Sequence, residues 1–144
     1  MKAGVSRKDI TPAIGISTPV TTSSAGVHDP LFVKALVLDD DEHVVAIICF
    51  DLVGGSIEFC DEMRERIREQ TGIEYTLMNF SHTHSAPEAS NPSDENKPSV
   101  NKWAENLNSS ILEAVEEACE NRIPVSLYAG RTPAQVGFNR RLVE

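Results

Sequence analysis

Two of the four histidines in this 144-residue chain stand two positions apart, in Phe80-Ser81-His82-Thr83-His84-Ser85-Ala86-Pro87. The apolar run before them, Tyr75-Thr76-Leu77-Met78-Asn79-Phe80, predicts a buried strand. On an extended backbone residues i and i+2 share a face. His82 and His84 are therefore expected to project together, with Thr83 turned away and Pro87 closing the strand. Imidazoles presented as a pair at a strand end hold a transition metal or polarise a substrate. The spacing alone is weak evidence, because exposed or core histidines also fall at i, i+2 by chance.

The elements that must position this pair are legible around it. Residues 3–10 predict a first strand, and a Pro-, Gly-, Ser- and Thr-rich excursion follows as far as Pro30. Residues 31–38 and 44–52 are apolar and β-branched, with Asp39-Asp40-Asp41-Glu42-His43 as a hairpin turn between them. Gly54-Gly55 ends the second of these strands. Ser56 is placed to cap a helix running to about Gln70, whose stripe is Ile57, Cys60, Met63 and Ile67. Glu58 near its start and Arg64, Arg66 and Arg68 towards its end suit the helix dipole, and Gly72 stops it. Residues 86–98, rich in Ser, Asn, Pro and Glu, predict a mobile loop beside the histidines. Ser99 then caps a long helix over 100–121, with Trp103, Leu107, Ile111, Ala114 and Ala118 as core packing. Pro124 ends that helix, and 125–129 predict a last strand. Strands interleaved with helices predict an α/β fold, a layered sandwich of a mixed β-sheet and flanking helices.

Composition narrows the function classes. The length suits one domain, and the formal charge of −9 argues against a nucleic-acid binder, which needs a basic face. The same charge argues against adhesion to anionic membranes, and no apolar run approaches the roughly 20 residues of a transmembrane segment. Met1-Lys2-Ala3-Gly4 has no apolar signal-peptide core. Cys49, Cys60 and Cys119 lack Cys-x-x-Cys spacing and read as core thiols of a reducing compartment, so a cytoplasmic location is expected.

Four segments in order carry a resemblance. They are Ala3-Gly4-Val5-Ser6-Arg7-Lys8-Asp9-Ile10-Thr11-Pro12, the stretch from Gly26-Val27-His28-Asp29-Pro30 to Leu38, then Ser81-His82-Thr83-His84-Ser85-Ala86-Pro87, and Gly137-Phe138-Asn139-Arg140-Arg141. Together they resemble the amino-terminal catalytic domain of the neutral/alkaline, non-lysosomal ceramidases, over nearly the whole chain. The Thr-His-Thr-His-Ser-x-Pro signature is the most specific piece, and Ser81 replaces its first threonine. The resembled domain extends far beyond Glu144. The resemblance thus implies that residues 1–144 form an amino-terminal part of a larger domain, with apolar surface meant for later segments. Members of that family are often secreted, which makes secretion with a removed leader the alternative location.

The resemblance also implies a chemistry: zinc-dependent hydrolysis of a linear N-acyl amide, the substrate being a small-molecule or lipid amide. His82 corresponds to a ligand of the catalytic Zn2+, and His84 would lie beside the metal against the scissile amide. Arg140 would hold the substrate's polar head or the developing oxyanion, although a solvated arginine beside Arg141 is an equally plain reading. Zinc makes water acidic enough to ionise near neutral pH and attack the carbonyl, and a nearby donor stabilises the oxyanion. A catalytic zinc needs three protein ligands and an open position. The resembled family's other ligands, a histidine, a glutamate and a tyrosine, come from segments beyond Glu144, so this chain alone is expected to be inactive. His28 and His43 do not match them; His43 is expected to be exposed, and His28 to be a loop residue within reach of the site. Asp51 is a candidate to orient His82, or simply the start of a turn.

Two other functions compete. Another His-x-His metallohydrolase is disfavoured, because metallo-β-lactamase-like sites want Asp where this chain has Ala86. A non-catalytic domain that keeps the fold without the metal is the alternative of a different class.

Overall fold

A computed structural model describes residues 1–89 and 98–137, with residues 98–101 described as helical backbone only. The sheet is built from β1 (Lys2–Asp9), β2 (Phe32–Asp39), β3 (Val44–Phe50), β4 (Tyr75–Phe80) and β5 (Ile123–Pro124). Its order is β4-β3-β2-β1-β5, parallel only between β3 and β4. Helix α1 (Ile57–Thr71) makes the crossover that this parallel pair requires, and α2 (Pro98–Glu120) follows β4. The mixed α/β layering is the one that the sequence predicts.

Local chemistry sets the boundaries. Asp40 Oδ1 accepts the backbone N–H groups of Glu42 and His43, closing the turn between β2 and β3. The Ser56 hydroxyl accepts the N–H of Phe59 at 3.2 Å to start α1, and Gly72, at φ 76°, donates to Arg68 O to end it. Pro98 opens α2, where its missing N–H costs nothing, so that helix begins before the expected Ser99 cap.

Both helices cover one face of the sheet. That face presents Val33, Ala35 and Val37 from β2 and Ala46, Ile48 and Phe50 from β3, all buried against Met63, Ile67, Leu107, Ile111 and Val115. Trp103 is 7 % exposed and donates its indole N–H to Ile10 O at 2.8 Å, joining α2 to the end of β1. Gly4 lies so close under α2 that a methyl group there would meet Ala118 O at 1.9 Å. Asp39, at the end of β2, pairs with Arg122 just beyond α2 at 2.6 Å.

The opposite face is uncovered among the described residues. In-register neighbours Val5, Leu36, Ile47 and Leu77 cross it as one apolar row, and an open trough of about 550 Å³ lies along Val5, Leu36, Ile47 and Cys49. This layout corrects three expectations. β4 is an edge strand and not a buried one: Tyr75 and Leu77 are 54 % and 60 % exposed, because they point to the open face. The last strand is only Ile123–Pro124 and does not reach 129: its ladder with β1 ends at the Lys2↔Pro124 pair, followed by the single bond from Val125 N to Met1 O. The three thiols are half-buried instead of fully buried in the core: Cys49 faces the open side, and Cys119 packs against the core from its edge. All three are free, and burial pushes Cys60 and Cys119 up from the ordinary thiol value, keeping them protonated.

Candidate active site

The histidines sit where β3 and β4 end side by side. Past Phe80 the chain leaves the sheet while staying tied to it. Ser81 N donates to Phe50 O at 3.0 Å and His82 N to Leu52 O at 3.1 Å. His82 takes φ 59°, the left-handed region, which costs a residue with a side chain about 1–2 kcal/mol. Those two backbone bonds offset that cost. The pair is thus brought together by a turn, which corrects the expectation that an extended strand aligns it. Extended geometry has already ended at Phe80.

The result is a defined pair of imidazoles. His82 Nδ1 lies 2.8 Å from Val53 O, and a carbonyl only accepts, so Nδ1 donates and, in the neutral ring, Nε2 presents its lone pair. His84 Nε2 lies 3.4 Å from that lone pair, with the rings 5.0 Å apart and at 75°. Two lone pairs facing each other would repel. The arrangement therefore calls for a proton on His84 Nε2 or a shared cation. A tetrahedral zinc with Zn–N of about 2.0–2.1 Å separates neighbouring nitrogens by about 3.3–3.4 Å. The observed separation fits two corners of such a site. Among the described residues no group of three or more His, Cys, Asp or Glu gathers to complete it.

Other candidates fall elsewhere. Asp51 does not orient His82: its carboxylate accepts from Phe32 N at 3.0 Å and from Lys34 Nζ at 2.9 Å, on the open face. The orienting role passes to Val53 O, a backbone group that no side-chain pattern announces. His43 lies at the far end of β3, exposed, beside Asp40 and Tyr75. Arg140 lies outside the described residues. The expected mobile loop starts in the core, since Ala86, Pro87 and Ala89 are buried. Val53 N donates to Pro87 O and Ala89 N to Gly54 O, while residues 90–97 lie outside the description.

Beside the pair is a cavity of about 360 Å³, walled by Thr11, Ile16, Ser24, His28, Thr83 and Ser85 among others. Thr83 and Ser85 come from the histidine turn, although neither imidazole lines the cavity. Its other walls come from the excursion before β2, folded back by Gly15 N to Ser24 O and Ser24 N to Ile16 O.

No protein-family model matches this chain, and no curated protein matches it. Solved structures do. The crystal structure of neutral ceramidase from Pseudomonas aeruginosa superposes with a TM-score of 0.66 at 18 % identity, over 85 % of this chain. A structure titled as ceramidase complexed with C2 superposes with a TM-score of 0.62 at 17 % identity, over the same share. The chain has the fold of part of a neutral ceramidase. It spans 22 % of the length of those two ceramidase chains.

Within this ceramidase-like fold His28, on the cavity wall, is paired with its neighbour Asp29. Its hydrogen bond to Asp29, 2.8 Å from Nδ1 to Oδ2, raises its pKa above the ordinary value, and the charge of Asp29 acts the same way. A raised folded-state value means that the pair's contribution is complete below the ordinary histidine range and is lost as pH rises through the raised one. Asp29→Asn is therefore expected to move the His28 titration down, as read by NMR of its ring protons. An unchanged midpoint would show that the contact does not persist in solution.

Proposed function

We propose that this chain supplies part of the active site of a zinc-dependent hydrolase of linear N-acyl amides. One observation supports it above the rest. On a fold shared with neutral ceramidase, His82 is locked by Val53 O with Nε2 free and facing His84 Nε2 at 3.4 Å. His82 would hold the metal through Nε2, its opposite nitrogen being fixed as second-layer contacts fix zinc-bound histidines. Zinc, when bound, supplies Lewis acidity and lowers the pKa of water to about 7. His84 would donate Nε2–H to the amide oxygen as negative charge gathers there. The 3.4 Å separation also favours a second reading, in which both imidazoles ligate one ion. The two neighbours are ceramidases by name; a lipid or small-molecule amide is the class proposed here, since pocket walls decide the choice. The free thiols support a reducing compartment as its place of work. Among the described residues no helix is long and apolar enough to cross a membrane.

The proposal is tested at the metal. The 144-residue chain is expected to hold zinc weakly after dialysis and to show no appreciable amidase activity, because the pair supplies fewer than three ligands. One tightly held zinc per chain by metal analysis would show instead that the ligand set is local. With the full ligand set present, hydrolysis of an N-acyl amide should stop on chelation and return with zinc. Turnover indifferent to chelation would sink the reading.

Arg140 is proposed to grip the substrate's polar end, as the resembled Gly137-Phe138-Asn139-Arg140-Arg141 segment implies. A planar fork suits a carbonyl oxygen or hydroxyl better than the point charge of lysine. Arg140→Lys should therefore cost kcat/KM nearly as much as Arg140→Ala, about 10–100-fold, the worth of a charged hydrogen bond. Arg141→Ala should do little. Steady-state kinetics with melting temperatures as control would show the assignment to be off by one if Arg141→Ala were the crippling change.

A further inference from the structure

His82 is held in place by residues 52–55, the segment that links β3 to α1, and Gly55 is the tightest point of that segment. A methyl group on Gly55 would come within 2.8 Å of Phe80 Cζ and 2.9 Å of Phe59 Cδ1. Real Cβ atoms do not approach that closely, so both rings would have to move, Phe80 the further. Phe80 has little freedom to do so. Its ring stacks on that of the fully buried Phe50, centroids 4.7 Å apart and planes at 14°, and Phe80 is the last residue of β4. The backbone of Gly55 is not in the left-handed region, so space and not conformation excludes a side chain there.

The consequence reaches the histidine through two short paths. Phe80 leads directly into Ser81 and His82, whose N–H groups bond Phe50 O and Leu52 O. Gly55 follows Val53 and Gly54, whose carbonyls bond the His82 ring and Ala89 N. A displaced Phe80 ring therefore pushes apart the two backbone segments whose spacing makes the 2.8 Å contact between His82 Nδ1 and Val53 O.

We infer that Gly55 is a positioning residue for His82: its missing side chain seats Phe80, and the seated ring sets the distance that fixes the His82 tautomer. Its importance for catalysis rests on the role proposed above for His82, but the positioning itself does not depend on it. The test is long-range ¹⁵N–¹H NMR of the imidazoles at alkaline pH in the metal-free protein, which needs neither zinc nor turnover. The wild type should show His82 as the Nδ1–H tautomer. Gly55→Ala should lose that tautomer, and Gly55→Ala combined with Phe80→Leu, whose shorter side chain removes the closer of the two contacts, should regain it. Retention of the Nδ1–H tautomer in Gly55→Ala would overturn the inference. So would a folded double variant that fails to regain it. If Gly55→Ala does not fold, the double variant alone decides. A failure to hydrolyse amides would leave this result standing, so the two claims are separable.

Discussion

On the zinc amidase reading proposed above, replacing His82 with alanine is expected to remove both zinc retention and turnover. Its Nε2 is the one nitrogen of the pair whose lone pair the structure aims, through the Nδ1–H bond to Val53 O. The Asp51 carboxylate does not stand in for it, being committed to Phe32 N and Lys34. His84→Ala should differ. If His84 contacts the reacting amide without ligating, the metal stays and kcat falls about 10²–10³-fold, the usual loss for a single oxyanion donor. KM should change less, because the interaction grows only as charge develops. Zinc content and kcat measured on the same preparations separate the roles. Equal zinc loss in both variants would establish joint chelation, which the 3.4 Å spacing also suits.

The largest effect on stability is expected at Gly4. A side chain there meets backbone, Ala118 O at 1.9 Å and Arg122 N at 2.9 Å, and a helix backbone does not yield as a rotamer does. Gly4→Val must lift α2 off β1, with it the Ser6 Oγ bond to Ala114 O and the Lys8–Glu117 pair at 2.8 Å. The cost should reach or exceed about 3 kcal/mol, the upper range for overpacking. That corresponds to a fall in Tm on the order of 10 °C for a domain of this size. Gly26→Ala is the control, since nothing lies within 4 Å of a methyl group there. A Gly4→Val melt within 2 °C or so of wild type would mean that α2 does not pack on β1 as described.

Much of the architecture was legible because it is written in local chemistry. Ser56 and Gly72 bracket α1 by satisfying backbone groups within a few residues of themselves, and Asp40 does the same in its turn. The Trp103-to-Ala118 stripe was equally plain, because helical spacing leaves one side for the core. What was missed depended on distant neighbours. Tyr75-Thr76-Leu77 reads as buried because its composition suits either face of a covered sheet, and whether a layer lies on each face is not a property of six residues. Residues 125–129 have strand composition, yet a strand needs a partner, and the ladder with β1 ends at Pro124. At the site the sequence located the imidazoles but not their geometry. A positive φ at His82 and a bond to a backbone carbonyl leave no trace in side-chain identity.

The indole of Trp103 bonds the carbonyl of Ile10 across 93 residues of sequence, and this has a bearing on the order in which the molecule assembles. The hairpin of β2 and β3 and the crossover through α1 close from nearby segments and can form early. The docking of α2 on β1 cannot, because it joins segments 93 residues apart, and the loop-closure entropy of so long a span opposes it until most other contacts exist. The single tryptophan of the chain therefore sits at the seam that shuts last. Its fluorescence should lag the helical circular dichroism signal during refolding, reporting the moment when α2 closes onto β1.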